Sequence, residues 1–506
     1  MSRSRKNIFL VIFSGILTFL AFPPVKLSFL AWISLVPLFI VIRDNNRKSS
    51  FWYSYLSGLV FFGLLISWLV NVTVPGSIIL VILLALFYGL FGLAARIVFK
   101  YSMDLLILPF IWVVLEYIRS HLLTGFPWGL LGYSQYANIK IIQVADITGV
   151  YGISFMLVMF NVAVYAVIVR SKRKISYMMS ALLFLIVIIT YGVYRLDNFS
   201  IWGKPRISVI QGNIPQKFKW DPGHAKNIIE KYDGLTRQAA GDKPDMIVWP
   251  ETAYPYLVEE GAGAVEIEEL ARDINIPILA GIVYEKKENF YNSAFLFSSR
   301  GAQENIYNKI HLVPFGEYIP FGKYFSFLRG YIDKPIGDFT ASDDFTLFVL
   351  RSTEYSEVQK DVITHTTLFY KFGVLICFED IFPYITRRFV SEGANIMINM
   401  TNDAWFGNTA AAEQHLQASV FRAVENRVPV IRAANTGVSC FINPTGKILS
   451  RVADNNKDIF IEGFATENVQ VTSLRSFYTK YGDAFVYFCA FMMMILIATE
   501  WFLVKE

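Results

Sequence analysis

Cys377 is the residue around which chemistry can be assembled. It lies in Phe372 to Asp380, FGVLICFED, where the apolar run Phe372, Val374, Leu375, Ile376 reads as a buried strand that presents the thiol at its exit. Such a thiol becomes a nucleophile when a base removes its proton or when neighbours favour the thiolate. Two further stretches supply candidates. Asp245 to Thr252, DMIVWPET, is an apolar strand ending in the carboxylate of Glu251, and Asn305 to Pro320, NIYNKIHLVPFGEYIP, carries Lys309 and Glu317. Taken singly, each has a plain structural alternative: a strand cysteine that only packs, glutamates that cap helices, a surface lysine.

Taken together they resemble a known set. A glutamate after WP at a strand end, a lysine in YNKIHLVPFGE and a cysteine in a strand-end C-F-E-D are similar to the Glu-Lys-Cys triad of the nitrilase superfamily. The flanking membrane segments narrow the resemblance to its membrane-bound branch, the apolipoprotein N-acyltransferases. TNDAWFG at Thr401 to Gly407 and ANTGVS at Ala434 to Ser439 add to it, so that it runs over nearly the whole chain.

That resemblance implies roles. Glu251 would be the general base, and Lys309 would sit at the developing oxyanion and favour the thiolate. Cys377 would be the nucleophile, with the backbone N–H of Phe378 as second oxyanion donor. Glu317 would hold Lys309 and the base in place, and Glu379 matches a family position beside the nucleophile. Many relatives carry Tyr where this chain has Phe378, so a phenol hydroxyl there is not needed. Trp220, followed by Asp221 and Pro222, resembles a segment lining the acyl site. Trp249, Trp405 and Trp128 are further candidates for substrate binding, the last within TGFPWGLLG at Thr124 to Gly132 and at the level of lipid headgroups.

The implied reaction passes an acyl chain from a membrane phospholipid to Cys377 and then to the free α-amino group of a diacylglyceryl-modified N-terminal cysteine of an apolipoprotein. Physical chemistry fits this. With no Walker loop and no dinucleotide fingerprint, any acyl group must arrive already activated, as membrane lipid esters are. No cofactor is expected, and no cluster of His, Cys and carboxylates suggests a metal. Two other readings stand beside it: a membrane-tethered nitrilase-type amidase in which water resolves the acyl-enzyme, and a transporter with a binding domain.

Composition sets the frame. Of 506 residues, 54% are hydrophobic and 17% charged, too apolar for an ordinary soluble protein and too charged for a bundle of spans alone. The formal charge of +5 falls beside apolar segments rather than in a basic stripe, which argues against a nucleic-acid partner. The three cysteines, Cys377, Cys440 and Cys489, are odd in number and far apart; Cys440 and Cys489 read as small buried hydrophobes.

Apolar segments recur at Ile8 to Phe22, Leu27 to Ile42, Phe51 to Val70, Ser77 to Ala95, Leu105 to Tyr117, Val150 to Val169, Ile175 to Tyr194 and Ala484 to Val504. Taken as spans, they give an α-helical membrane domain of seven helices over 1–196 and a final helix over 483–506. The first segment follows Arg3, Arg5 and Lys6 but lacks a small-residue cleavage site, so it is expected to be retained. Lys and Arg gather on the N-terminal side of the spans, which predicts cytoplasmic termini. The segment 197–482 then faces outward, into the periplasm of a bacterium whose inner membrane holds the chain, here expected to be a monomer.

In that segment apolar strands alternate with helical patterns such as Ala225 to Ala239 and Ala410 to Glu425, an α/β domain for which the resemblance implies a four-layer αββα sandwich. Arg422, Glu425, Arg427 and Arg432 read as an internal ion-pair network. His311 and His415 stay open between base and structural roles, and Glu116, inside an apolar span, between structural and headgroup roles. Tyr318 to Ile332, YIPFGKYFSFLRGYI, is either a covered loop or a lid that dips into the lipid.

Overall fold

The computed structural model describes residues 2–100, 105–314, 316–318, 338–358 and 362–503. The proposed lid, apart from Tyr318, lies outside them. The chain divides into two compact units, Met1–Asn198 with Ser476–Glu506, and Phe199–Arg475.

The first unit is helical. Val74–Lys100, Val150–Ile168 and Lys174–Asp197 are, among the described residues, the helices long and apolar enough to cross a membrane. Ile78, Ile79, Ile82 and Leu83 on the first, and Leu182, Leu183, Ile186 and Val187 on the last, are exposed, the pattern of a face that meets lipid rather than a core. The other expected spans are helical too, as in Arg3–Leu20, Arg47–Leu65, Ile107–His121 and Ala484–Leu503, with one exception. Leu27 to Ile42 is not one helix: a 3₁₀ turn at Ser28–Trp32 is followed by Val36–Arg43. Pro37 is the reason, since a proline suits the first turn of a helix and breaks the hydrogen-bond ladder in its interior. Asn161, buried on Val150–Ile168, ties these pieces together by accepting the Leu35 N–H at 2.8 Å and donating to the Ala31 carbonyl at 2.8 Å.

The second unit is a helix–sheet–sheet–helix sandwich. Its strands are β1 Arg206–Gln211, β2 Met246–Val248, β3 Leu257–Glu259, β4 Ile278–Lys286, β5 Asn289–Phe297, β6 Gln303–Asn308, β7 Phe348–Val358, β8 Val362–Ile376, β9 Ile396–Thr401, β10 Val430–Ala434, β11 Cys440–Ile442, β12 Ile448–Arg451 and β13 Gly463–Asn468. One sheet runs β13-β1-β2-β4-β5-β6 with β3 beside β4, and the other β12-β11-β10-β9-β8-β7. The neighbours β1, β2 and β4, and likewise β8, β9 and β10, pair in parallel, with antiparallel partners toward the edges. The parallel centres carry the continuous apolar runs that strands buried on both faces require: every residue of Ile396–Thr401 is buried.

Helices close the outer faces. Pro222–Ala240 begins with Asp221 accepting the Gly223 N–H at 2.9 Å and Pro222 in its first turn, and buries Ala225, Ile228, Tyr232, Thr236 and Ala239 at helical spacing. On the other side Ala411–Asn426 is buried almost throughout, including Gln414, His415, Ser419, Arg422 and Glu425. Polar groups so placed must pair with one another, which they do.

Candidate active site

Three strand exits meet the chemistry. β2 leads through Trp249 and Pro250 to Glu251, β6 leads directly to Lys309, and β8 ends at Cys377. The two sheets thus contribute from both sides of the sandwich. Gly281 on β4 allows the close passage of the Glu251 turn, because a Cβ there would stand 2.5 Å from the Thr252 nitrogen and 2.7 Å from the Glu251 Cα.

Lys309 is 1% exposed, and its Nζ lies 2.9 Å from Glu317 Oε1 and 3.8 Å from Glu251 Oε1. Burial opposes its charge, but Glu317 and Glu251 outweigh burial and hold the amine well above its ordinary range. Glu317 is itself fixed by the Val313 N–H, which donates to its Oε2 at 2.8 Å. Asn292 on β5 joins the carboxylates: its Nδ2 donates to Glu251 Oε1 at 2.7 Å and to Glu317 Oε1 at 3.0 Å.

Cys377 takes φ 54°, a left-handed conformation costing a non-glycine residue roughly 1–3 kcal/mol and found where a site imposes it. The turn is held by Asn399, which donates to the Cys377 carbonyl at 3.1 Å, and by Glu379. Glu379 is fully buried and accepts the N–H groups of Ile376 at 2.7 Å, Ile310 at 2.7 Å and His311 at 3.0 Å, with the Tyr307 hydroxyl 3.0 Å from each oxygen. It therefore clamps the nucleophile strand to the segment that carries Lys309. Burial pushes its carboxyl up to about 7, against Lys309 and the backbone donors.

The thiol itself is pushed well above its usual range, first by burial and then by the charge of Glu251, while Lys309 pulls the other way. Lys309 alone thus does not make a standing thiolate. The resting group is the thiol, and a base must take its proton.

Behind the nucleophile lies the buried charge network. Asp380 is 2.7 Å from His415 Nε2 and 2.8 Å from Arg432, and also accepts from the Ser419 hydroxyl; Asp403 is 3.1 Å from His415 Nδ1. Arg422 pairs with Glu425 at 2.8 Å. The expected network is met in part: Arg422 and Glu425 pair with each other, Arg432 pairs instead with Asp380 and Asp403, and Arg427 donates to the Pro444 carbonyl at 3.4 Å. His415 belongs to it as a doubly paired imidazole. His311 is placed by contacts with other residues: its ring stacks on Phe382 at 3.8 Å and its Nδ1 lies 3.0 Å from the Tyr384 hydroxyl.

The tryptophans separate. Trp249 is a core residue rather than a lining one: it is 1% exposed, stacks on Tyr232 at 4.7 Å and donates to Thr236 at 2.9 Å. Trp405 is 44% exposed in the turn Asp403–Phe406, and Trp220 is half-buried before the helix Pro222–Ala240. In the helical unit Trp128 is buried against Trp68, ring centroids 5.0 Å apart, not open at a surface. Glu116 there accepts the Leu131 N–H at 2.8 Å, and Arg119 donates to the carbonyls of Phe126 at 3.0 Å and Trp128 at 2.7 Å, so both brace the TGFPWGLLG segment.

Asn292, Asn399 and Lys219 are residues of this site that the motifs do not announce; Tyr307 stands in the lysine motif, but the motif does not show its bond to Glu379. Lys219 is buried and donates to the Glu251 backbone carbonyl at 3.0 Å. Among the described residues no group of His, Cys, Asp and Glu is arranged to hold a metal ion.

Residues 14–163 match the family described as the apolipoprotein N-acyltransferase N-terminal domain, and 206–473 match the family described as carbon-nitrogen hydrolase. The chain is 36% identical to a protein of Geobacter metallireducens named apolipoprotein N-acyltransferase, over 96% of this chain and 93% of that one. A protein of the same name from Pasteurella multocida is 29% identical over 98% and 96% of the two chains. A crystal structure of an amidase from Nesterenkonia sp. aligns with 57% of this chain and 98% of its own at 18% identity, TM-score 0.37. With a nitrilase-type sandwich joined to an apolar helical unit, and relatives of one name matched from end to end, the chain belongs to the apolipoprotein N-acyltransferase family.

Proposed function

We propose that the protein moves an acyl chain from a membrane phospholipid to Cys377, and from Cys377 to the α-amino group of the diacylglyceryl-modified N-terminal cysteine of an apolipoprotein. The observation that carries this is the buried Glu251, Lys309 and Glu317 constellation beside a strained, buried thiol, in a chain whose full-length relatives bear the acyltransferase name.

In the first half-reaction Glu251 takes the Sγ proton as sulfur attacks the ester carbonyl. Lys309 and the Phe378 backbone N–H receive the negative charge on the carbonyl oxygen. The ester C–O bond breaks, the lysophospholipid leaves with the proton held by Glu251, and a thioester remains. In the second half the free amine attacks the thioester, its surplus proton passes through Glu251, and the C–S bond breaks to restore the thiol. Glu317 and Asn292 keep Glu251 and Lys309 at their separation throughout, and Glu379 keeps the nucleophile turn in register. The hydrolase alternative lacks support from the relatives, none of the cited full-length ones bearing such a name.

The purified enzyme incubated with one defined diacyl phospholipid should gain, in intact-protein mass spectrometry, a single acyl mass that hydroxylamine removes. Adding a diacylglyceryl lipopeptide with a free amine should discharge the adduct into an amide-linked product. An enzyme that binds the lipid yet forms no adduct would remove the thioester from the mechanism.

The membrane arrangement belongs to the same proposal: eight spans, both termini cytoplasmic, and the catalytic unit in the periplasm of a bacterial inner membrane. Its support is the Lys and Arg placement together with the apolar helices. A phosphatase reporter fused at Asn455 should be active, and a cytoplasm-dependent fluorescent reporter at the same position dark; the reverse pattern would overturn it.

A further inference from the structure

Lys219 is a second buried cation at the nucleophile. Its residue is 4% exposed, and Nζ donates to the backbone carbonyl of Glu251, the proposed base, at 3.0 Å. A lysine is rarely buried to this extent without a carboxylate partner, and ordering its long side chain costs rotamer entropy before any desolvation. Here the hydrogen-bond acceptor is a neutral carbonyl, so a simple ion pair does not explain the burial.

The segment that holds it is not loose. Asn402 donates to Gln216 Oε1 at 2.8 Å; Asn435 donates to Asn402 Oδ1 at 2.9 Å and to the Ile214 carbonyl at 2.8 Å, and accepts the Ile214 N–H at 2.8 Å. The stretch between β1 and the helix Pro222–Ala240 is thus latched to the exits of β9 and β10, and Lys219 is carried into the site by that latch.

Charge explains what it does there. Glu251 and Glu317 bring two negative charges and Lys309 one positive charge into a buried cluster. When Glu251 takes the Cys377 proton, the net charge is unchanged but the negative charge moves onto a buried sulfur, which low-dielectric surroundings oppose unless a cation lies near. We propose that Lys219 is a positioning residue for acyl transfer: its ammonium, pinned to the carbonyl of the base, supplies a second positive charge, beside Lys309, that favours the Cys377 thiolate as Glu251 takes its proton. This rests on the acyl-transfer reading of Cys377.

Burial brings the Lys219 ammonium down to about 8, against the pull of Glu251 and Cys377, so the charge is present at neutral pH and is lost as pH rises past that value. The groups that bear on this cluster are Glu251 after β2, Lys309 and Glu317 after β6, Cys377 and Glu379 after β8, and Asp403 after β9. Lys217, Asp221 and His224 on the segment itself face solvent and are screened.

The test reads thiol reactivity rather than turnover. In the full-length protein in detergent, alkylation of Cys377 by iodoacetamide is followed by peptide mass spectrometry across pH for wild type, Lys219→Met, Lys219→Arg and Lys309→Met. At pH 7 Lys219→Met should slow alkylation about tenfold, the effect of a one-unit rise in the thiol pKa, and move the pH profile upward. Lys219→Arg, which keeps the charge, should stay within about threefold of wild type. Wild-type rate and profile in Lys219→Met, with Lys309→Met slowed, would overturn the role of Lys219 alone. A Cys377 whose alkylation rate and pH profile are unaffected in both Lys309→Met and Lys219→Met would overturn the acyl-transfer reading itself. If Lys219→Met fails to fold, Lys219→Gln takes its place, and an arginine variant as slow as the neutral ones would show that shape rather than charge is at work.

Discussion

Cys377→Ala should lower acyl transfer by on the order of 10⁴–10⁶, the loss seen when the nucleophile of a covalent mechanism is removed. The alanine variant has no atom to carry the acyl group, and the remaining groups can only bind and polarise the ester. Its fold should survive. Alanine is smaller than cysteine, meets the same backbone demand at φ 54°, and leaves untouched the Asn399 bond to the residue 377 carbonyl and the four donors on Glu379. The measurement is the rate of amide-linked lipopeptide formation, with thermal denaturation beside it. Full activity in a folded Cys377→Ala protein would refute the thioester.

Asp380→Ala should cost about 3–5 kcal/mol of stability, the penalty for removing one partner of a buried ion pair. Asp380 is the nearer of two carboxylates between two cationic groups, 2.7 Å from His415 and 2.8 Å from Arg432, all of them buried. Without it, the carboxylate left to Arg432 is the more distant Asp403, at 3.7 Å. The consequence extends to pH. Burial disfavours the charged His415 imidazole, but Asp380 and Asp403 outweigh burial and raise it to about 9. Its contribution is therefore complete below its ordinary value near 6.5 and disappears as pH climbs through about 9. Asp380 and Asp403 are held below the usual carboxylate range by the same partners against burial, so their contribution fades in acid instead. The wild type should be most stable between these limits, and Asp380→Ala should lose most of the alkaline dependence. Labelling of the buried Cys440 by a thiol-reactive dye during denaturation, in a background lacking Cys377 and Cys489, reads this sheet directly. Equal pH dependence in wild type and Asp380→Ala would dismiss the network as the cause.

Much of the fold was written locally. The apolar runs before Glu251 and Cys377 fall on β2 and on the end of β8, and the helical patterns Ala225 to Ala239 and Ala410 to Glu425 fall on the helices Pro222–Ala240 and Ala411–Asn426. Strands buried on two faces must be apolar throughout, so they announce themselves. β6, QENIYN, and β13, GFATEN, lie at the edges with mostly exposed or half-exposed residues, and their polar sequences offer no such pattern. The pairing of β13 with β1, more than 200 residues apart in the chain, follows from the second sheet partner that β1 needs and not from either segment alone.

Glu251, Lys309, Glu317 and Cys377 were legible because each closes an apolar run or stands in a dense motif. Asn292 and Lys219 were not, since a single polar residue in a strand or turn has many uses until its neighbours are known. Trp249 shows the converse: next to Glu251 in sequence, it turns to Tyr232 and Thr236 on a helix and becomes core.

By itself the sequence determined which segments are apolar enough to be buried and where the candidate reactive side chains sit at their ends, in motifs that resemble a Glu-Lys-Cys set. Hydrophobic periodicity and residue chemistry are properties of a stretch of chain, and need no partner to be read. The tertiary structure alone decided that Glu251 and Glu317 share Asn292 and Lys309, that Asp380 and Asp403 together balance His415 and Arg432, and that Lys219 is buried against the Glu251 carbonyl. Burial and charge fix these choices together, because a buried ion is tolerated only where the fold brings its counterpart within a few ångströms.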